Sequence, residues 1–255
     1  MTARRTLSFA VALCCLPLAA PAADAASNPD SGAHAISVLH CARLLDPAAG
    51  KMLGETSVVV EDGRIKEIHS GALDVEPYRK AAGASDATFQ DVQLPDATCL
   101  PGLIDAHTHL TGETSPTEYT DQFRWNIADY AIRSTVYARR TLLAGFTSVR
   151  NVGDNANESV ALRNAINAGI VPGPHIFTAG IPIGSTGGHA DPTDGYRQDL
   201  AGNPGPKDGI INSPADALKA VRQHYKDGDD LIKIMPSGGV LDESASADNP
   251  QMTIE

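Results

Sequence analysis

Positive charge is in short supply. The 255 residues carry 20 Lys and Arg against 31 Asp and Glu, a formal net charge of −11. No basic patch is present to neutralise a phosphate backbone, which argues against nucleic acid as a partner. The acidic balance otherwise describes a solvated surface. Long hydrophobic runs are missing as well. The apolar stretch Leu7–Leu18 is too short to cross a bilayer as a helix, so stable membrane insertion is not expected. Neither a Gly-x-Gly-x-x-Gly turn after a strand nor a P-loop occurs, so nucleotide binding has no support. Cysteine is scarce, with four in the chain.

What is there describes a soluble globular protein, 42% hydrophobic and 20% charged. The length suits one large domain or two small ones. The first 25 residues have the pattern of an export signal. Arg4 and Arg5 supply its positive start and Leu7–Leu18 its apolar centre. Ala20-Pro21-Ala22 and Ala23-Asp24-Ala25 are small-x-small cleavage points. The expectation is a periplasmic or secreted protein. Cys14 and Cys15 leave with the signal, and Leu13 before Cys14 does not suit lipid attachment. Cys41 and Cys99 remain. Export permits a disulfide between them, and two buried free thiols fit the sequence equally well.

Residues 26–98 read as a small β domain. Ala26–Ala33 is a polar linker. His34–Leu45 alternates apolar and polar, and Thr56–Val60 is β-branched. Asp62-Gly63 marks a hairpin turn before the alternating Ile65–His69. Ala72–Asp91, polar and alanine-rich, is expected to be loop. His34, His40 and His69 fall in this region and are assigned to surface or strand positions.

From residue 99 the pattern changes to strand and helix in alternation. Leu103–Ala106 is a short apolar strand after Pro101-Gly102. A helix is expected over Tyr119–Ala144, closed by Gly145. Phe146–Val149 is a second strand, followed by Arg150-Asn151-Val152-Gly153-Asp154. Glu158–Ala168 is a helix and His175–Ala179 a third strand. Gly184–Asp208 is a long Gly-, Pro- and Asp-rich loop. Ser213 and Pro214 open a helix to about Lys226. Asp230–Met235 is a fourth strand. Repeated β/α units of this kind build parallel sheets, with functional residues at the C-terminal ends of the strands.

Two of those ends carry chemistry. His107 and His109 are two apart on a strand and therefore share a face, with Asp105 just before them. Paired imidazoles at a strand end suit a transition metal, typically zinc. In Leu231-Ile232-Lys233-Ile234-Met235, Lys233 interrupts an apolar run expected to be buried on both faces. A buried unpaired ammonium is costly, so Lys233 needs a partner or a lowered pKa. A neutral amine can capture carbon dioxide and become an anionic carbamate. Ser185-Thr186-Gly187-Gly188-His189 follows the third strand and places His189 on the same side. His175 and His224 are assigned no role.

The run Pro101-Gly102-Leu103-Ile104-Asp105-Ala106-His107-Thr108-His109 resembles the start of the amidohydrolase superfamily at every position. The fourth-strand Lys233 with Pro236-Ser237-Gly238-Gly239-Val240 after it is similar to the binuclear members. The Gly-Gly-His segment is similar to their dipeptidase-like and imidazolonepropionase-like branch. The resemblance implies an α/β fold: the first half of a (β/α)8 TIM-type barrel over 99–255, preceded by part of a small β-sandwich. It implies two divalent metals, zinc above all, sharing a bridging hydroxide. His107 and His109 hold one metal, carboxylated Lys233 bridges both, and His189 faces the substrate. The substrate class is a dipeptide or another small cyclic or N-acyl amide. A homo-oligomer is compatible with this reading. Two further histidines and the catalytic aspartate are expected beyond residue 255, because a full barrel takes roughly 250 residues. The chain is therefore expected to be incomplete and inactive alone. A truncated relic with a partial metal site is one alternative. A deaminase on the same fold is another, disfavoured by Lys233, which such enzymes usually lack.

Overall fold

The computed structural model describes residues 34–85, 87–239 and 248–253. The expected export signal, Ala26–Ala33 and Val240 lie outside them. The fold is mixed α/β, with two sheets among the described residues.

The first sheet holds β1 (Ala35–Asp46), β2 (Lys51–Leu53), β3 (Thr56–Glu61), β4 (Arg64–Ser70) and β5 (Thr88–Cys99). Its order is β2-β1-β3-β4, with β5 parallel to β1. Alternation sets the register. Ile36 and Val38 of β1 and Val59 of β3 form its core. The β3–β4 hairpin turns at Asp62 and Gly63, both with positive φ, as an Asp-Gly turn requires.

The expectation of loop over 72–91 is corrected. Glu76–Ala84 is helix α1, and β5 begins at Thr88. Pro77 sits in the first turn of α1, where its missing N–H costs nothing. Ala82 is the buried residue of that helix, so its apolar signal is faint. Thr88-Phe89-Gln90-Asp91-Val92 does alternate. Pro95 within β5 falls where the β1–β5 register shifts, a place that needs no ladder N–H. Cys41 and Cys99 form a disulfide with Cα atoms 5.9 Å apart, which closes the question left open by the sequence.

The second sheet is parallel: β6 (Leu103–Thr108), β7 (Phe146–Asn151) and β8 (His175–Thr178), in that order. Its connections are α2 (Glu118–Asp121), α3 (Ile127–Leu143) and α4 (Glu158–Asn167). Then come α5 (Gln198–Ala201), a 3-10 turn at Pro206–Asp208, and α6 (Pro214–Asp227). This sheet fits part of a barrel. Leu110, Ala138, Val149, Leu162 and Ile176 make the core between sheet and helices. The single helix expected over 119–144 is two. The break falls before Asn126, whose N–H donates to the Asp129 carboxylate at 2.8 Å and starts α3 afresh.

The burial expected of the first and fourth barrel strands is also corrected. β6 has a partner along one edge only among the described residues, and Ile104 is 74% exposed. The segment 230–235 forms no ladder strand. It joins β8 and the loop after it through Thr178 and a single bridge, Ile183 to Ile234. Its side chains still alternate, with Lys233 half-buried between exposed Ile232 and Ile234.

Candidate metal centre

Strand geometry delivers the paired histidines. His107 and His109 stand at the C-terminal end of β6 with ring centroids 5.6 Å apart. His107 is held below the usual histidine range, first by desolvation and then by the charges of Lys233, His109 and Arg150. That keeps its imidazole neutral, the form a metal needs. Lys233 is thus brought near His107. Main-chain bonds fix its backbone: the Lys233 carbonyl accepts from Ile183 N at 2.8 Å, and Met235 N donates to the Ile183 carbonyl at 2.9 Å.

His109 is held from below. Its Nδ1 lies 3.2 Å from the Gly153 carbonyl oxygen. A carbonyl only accepts, so the contact is a hydrogen bond when Nδ1 carries the proton, and Nε2 is then left as a lone pair. Space at Gly153 is tight: a Cβ would sit 3.0 Å from His109 Cε1 and from Pro182 Cγ, so either side chain would have to shift.

A cavity of about 710 Å³ opens beside these groups. His109, His189, Asp154, Asp191, Lys207 and Met235 are among its lining residues, while His107 and Lys233 lie outside that lining. The His189 loop is set by Asp191, whose carboxylate accepts from Gly187 N at 2.8 Å and Thr193 N at 3.0 Å. His189 N donates to the Gln251 side chain at 3.1 Å.

Asp154, in the cavity wall, and Glu158 are buried. Burial pushes both carboxyls up, against hydrogen bonds that favour the charged form. Asp154 accepts from the Ser159 hydroxyl and from Ser159 N, and Glu158 accepts from Asn155 N and Ala156 N. Nothing in the sequence reading gave Asn151, Gly153 or Asp154 a role. The available signal was their place directly after an apolar strand, at the functional end of a β/α unit.

Two imidazoles and a lysine amine beside a cavity have the chemistry of a partial donor set. Among the described residues no group of three or more His, Cys, Asp or Glu converges as a metal cage.

The amidohydrolase family model matches residues 98–255. The chain belongs to the amidohydrolase family. This amidohydrolase chain is 28% identical to the ochratoxinase of Aspergillus niger over 221 residues, covering 82% of this chain and 43% of that protein. A crystal structure of a Xaa-Pro dipeptidase with bound methionine superposes with a TM-score of 0.76 at 37% identity, over 86% of this chain and 51% of that one. A prolidase complexed with N-methylphosphonate-L-proline gives a TM-score of 0.68 at 28% identity, over 86% and 50%. The chain spans about half the length of these relatives.

Proposed function

We propose that the chain carries the first half of the active site of an exported, metal-dependent hydrolase that cleaves a carbon–nitrogen bond in a small amide or dipeptide. The observation that carries this is the pairing of His107 and His109 at one strand end, with His109 lining the cavity that His189 also lines. Family membership and the hydrolase relatives support amide-bond hydrolysis.

His107 and His109 would hold the first metal, His107 through an imidazole kept neutral by its surroundings. Lys233, as a carbamate, would add an anionic oxygen donor beside His107. Until it is carboxylated its ammonium opposes a cation there. A divalent metal, when bound, supplies Lewis acidity and brings the pKa of water toward about 7. His189, fixed by the Asp191-ordered loop, orients the substrate's polar end. Zinc, by its taste for imidazole, is the metal this donor set suits best. The described residues would contribute the two imidazoles and the carbamate to such a site. The apolar, cleavable start of the sequence and the Cys41–Cys99 disulfide support export.

The test is an assay of the protein isolated from its native cells, with its intact mass determined alongside. Xaa-Pro dipeptides, ochratoxin and a deaminase substrate are offered before and after chelation and zinc reloading. Metal-dependent amide cleavage, lost in H107A and H109A, is the expected result. Ammonia release from an amino-heterocycle without amide cleavage would assign the deaminase reading instead. Amide cleavage at full rate in the chelated protein would overturn the proposal.

A further inference from the structure

Asn151 ends β7 and is fully buried. A buried side-chain amide needs its donors and acceptor used. Its Oδ1 accepts from Leu110 N at 2.7 Å, across 41 residues of sequence. Its Nδ2 donates to the Gly153 carbonyl at 3.2 Å. The orientation of the amide is forced. Flipped, its NH₂ would face an N–H and its oxygen would face a carbonyl, and both contacts would repel.

Both groups that Asn151 holds belong to the surroundings of His109. Leu110 is the next residue in the chain. The Gly153 carbonyl is the group 3.2 Å from His109 Nδ1. The main chain around Asn151 is pinned as well. Val152 N donates to the Thr108 carbonyl and Ala179 N to the Asn151 carbonyl, both at 2.9 Å, so the ends of β6, β7 and β8 meet there. The carbonyl that His109 addresses therefore has little freedom to rotate away.

We propose that Asn151 is a positioning residue for His109: by fixing the Gly153 carbonyl and the Leu110 amide, it holds the His109 ring in place and selects the tautomer with hydrogen on Nδ1. Nε2 is left as the ligating lone pair. Asn151 touches neither substrate nor metal in this scheme. The functional meaning rests on the proposed metal role of His109, but the tautomer assignment does not.

The test is nitrogen-15 NMR of histidine-labelled, metal-free chain, with His109 assigned through H109Q. The wild type is expected to show His109 with hydrogen on Nδ1 and a through-bond coupling from that nitrogen to the Gly153 carbonyl carbon. N151D, read above neutral pH, keeps the acceptor for Leu110 N but sets an anion against the Gly153 carbonyl. N151A removes both bonds. In each, His109 is expected to lose its single tautomer, and zinc affinity in N151A to fall 10- to 100-fold. Hydrogen on Nε2 in the wild type, or an unchanged tautomer in a folded variant, would overturn the inference. If neither variant folds, the wild-type coupling decides: its absence overturns. If the tautomers behave as expected while H109Q binds zinc like the wild type, Asn151 keeps its role and the metal reading falls. If zinc is held through His109 while Asn151 leaves the tautomer unmoved, this inference alone falls.

Discussion

Asp154 and Glu158 show how far burial can outweigh hydrogen bonding at single residues. Each carboxylate accepts backbone N–H groups, yet desolvation comes first and raises both pKa values. Linkage gives the sign. A carboxyl whose folded pKa is raised binds its proton more tightly in the native state. Its stabilising contribution is complete below the ordinary values of 3.8 and 4.5 and is lost as pH rises through the raised ones. Urea unfolding of the wild type and of D154N/E158Q should show it. The wild type is expected to lose more stability than the double variant as pH rises above about 4. Parallel pH profiles would show that these carboxyls titrate alike folded and unfolded. At this scale His107, His109, Lys233 and His189 were legible in the sequence as candidates, because the His-x-His pair falls at a strand end, Lys233 interrupts an apolar run and His189 lies in the Gly-rich loop after the third strand. Asn151 was not. A buried amide that bonds two backbone groups has no periodicity to give it away, and its partners are fixed only once β6 and β7 are paired.

Elements carry the next set of consequences. The segment that holds Lys233 is clamped by Asp230, three residues before it. The Asp230 carboxylate accepts from Arg163 of α4 at 2.7 Å and from Thr178 N at 2.9 Å. D230A is expected to destabilise the fold by about 1 to 3 kcal/mol. It should also raise hydrogen exchange in residues 230–235 above that in β7, and uniform exchange in the two would argue against a local clamp. The turn bearing Lys207 is nailed down differently. Gly209 has a φ of +84°, and a Cβ there would meet the Pro182 carbonyl oxygen at 2.2 Å. G209A is therefore expected to lower Tm even though it adds only a methyl. A melting curve identical to wild type would contradict that contact. Strands with β-branched or alternating patterns, and helices with a Pro start or Gly stop, were readable from sequence. Helix α1 and β5 were not: the helix buries Ala82 against the sheet, and Pro95 obscures the strand. The break between α2 and α3 hid inside one continuous three-to-four spacing of apolar residues.

For the whole molecule, the disulfide ties β1 to the last residue of β5, just ahead of the parallel sheet. It closes a span of 58 residues. On loop entropy alone, C41S/C99S is expected to cost about 4 kcal/mol. A denaturation midpoint unmoved by the substitution or by reductant would mean that the cross-link constrains little. The fold class was legible because strand and helix signals alternate. The exposure of β6 was not. An apolar strand predicts burial, and here one edge of β6 and much of Leu103 and Ile104 lack cover among the described residues. No helix of those residues is long and apolar enough to cross a membrane.

The central claim is that the end of β6 is a metal site. It is tested most directly by titrating zinc into the purified chain and into H107N/H109N, followed by calorimetry and by melting temperature. The expected result is zinc binding to the wild type with a raised Tm, since a ligand at about 100 times its Kd adds about 2.7 kcal/mol, and loss of both effects in the double variant. Equal binding and equal stabilisation of the two proteins would contradict it.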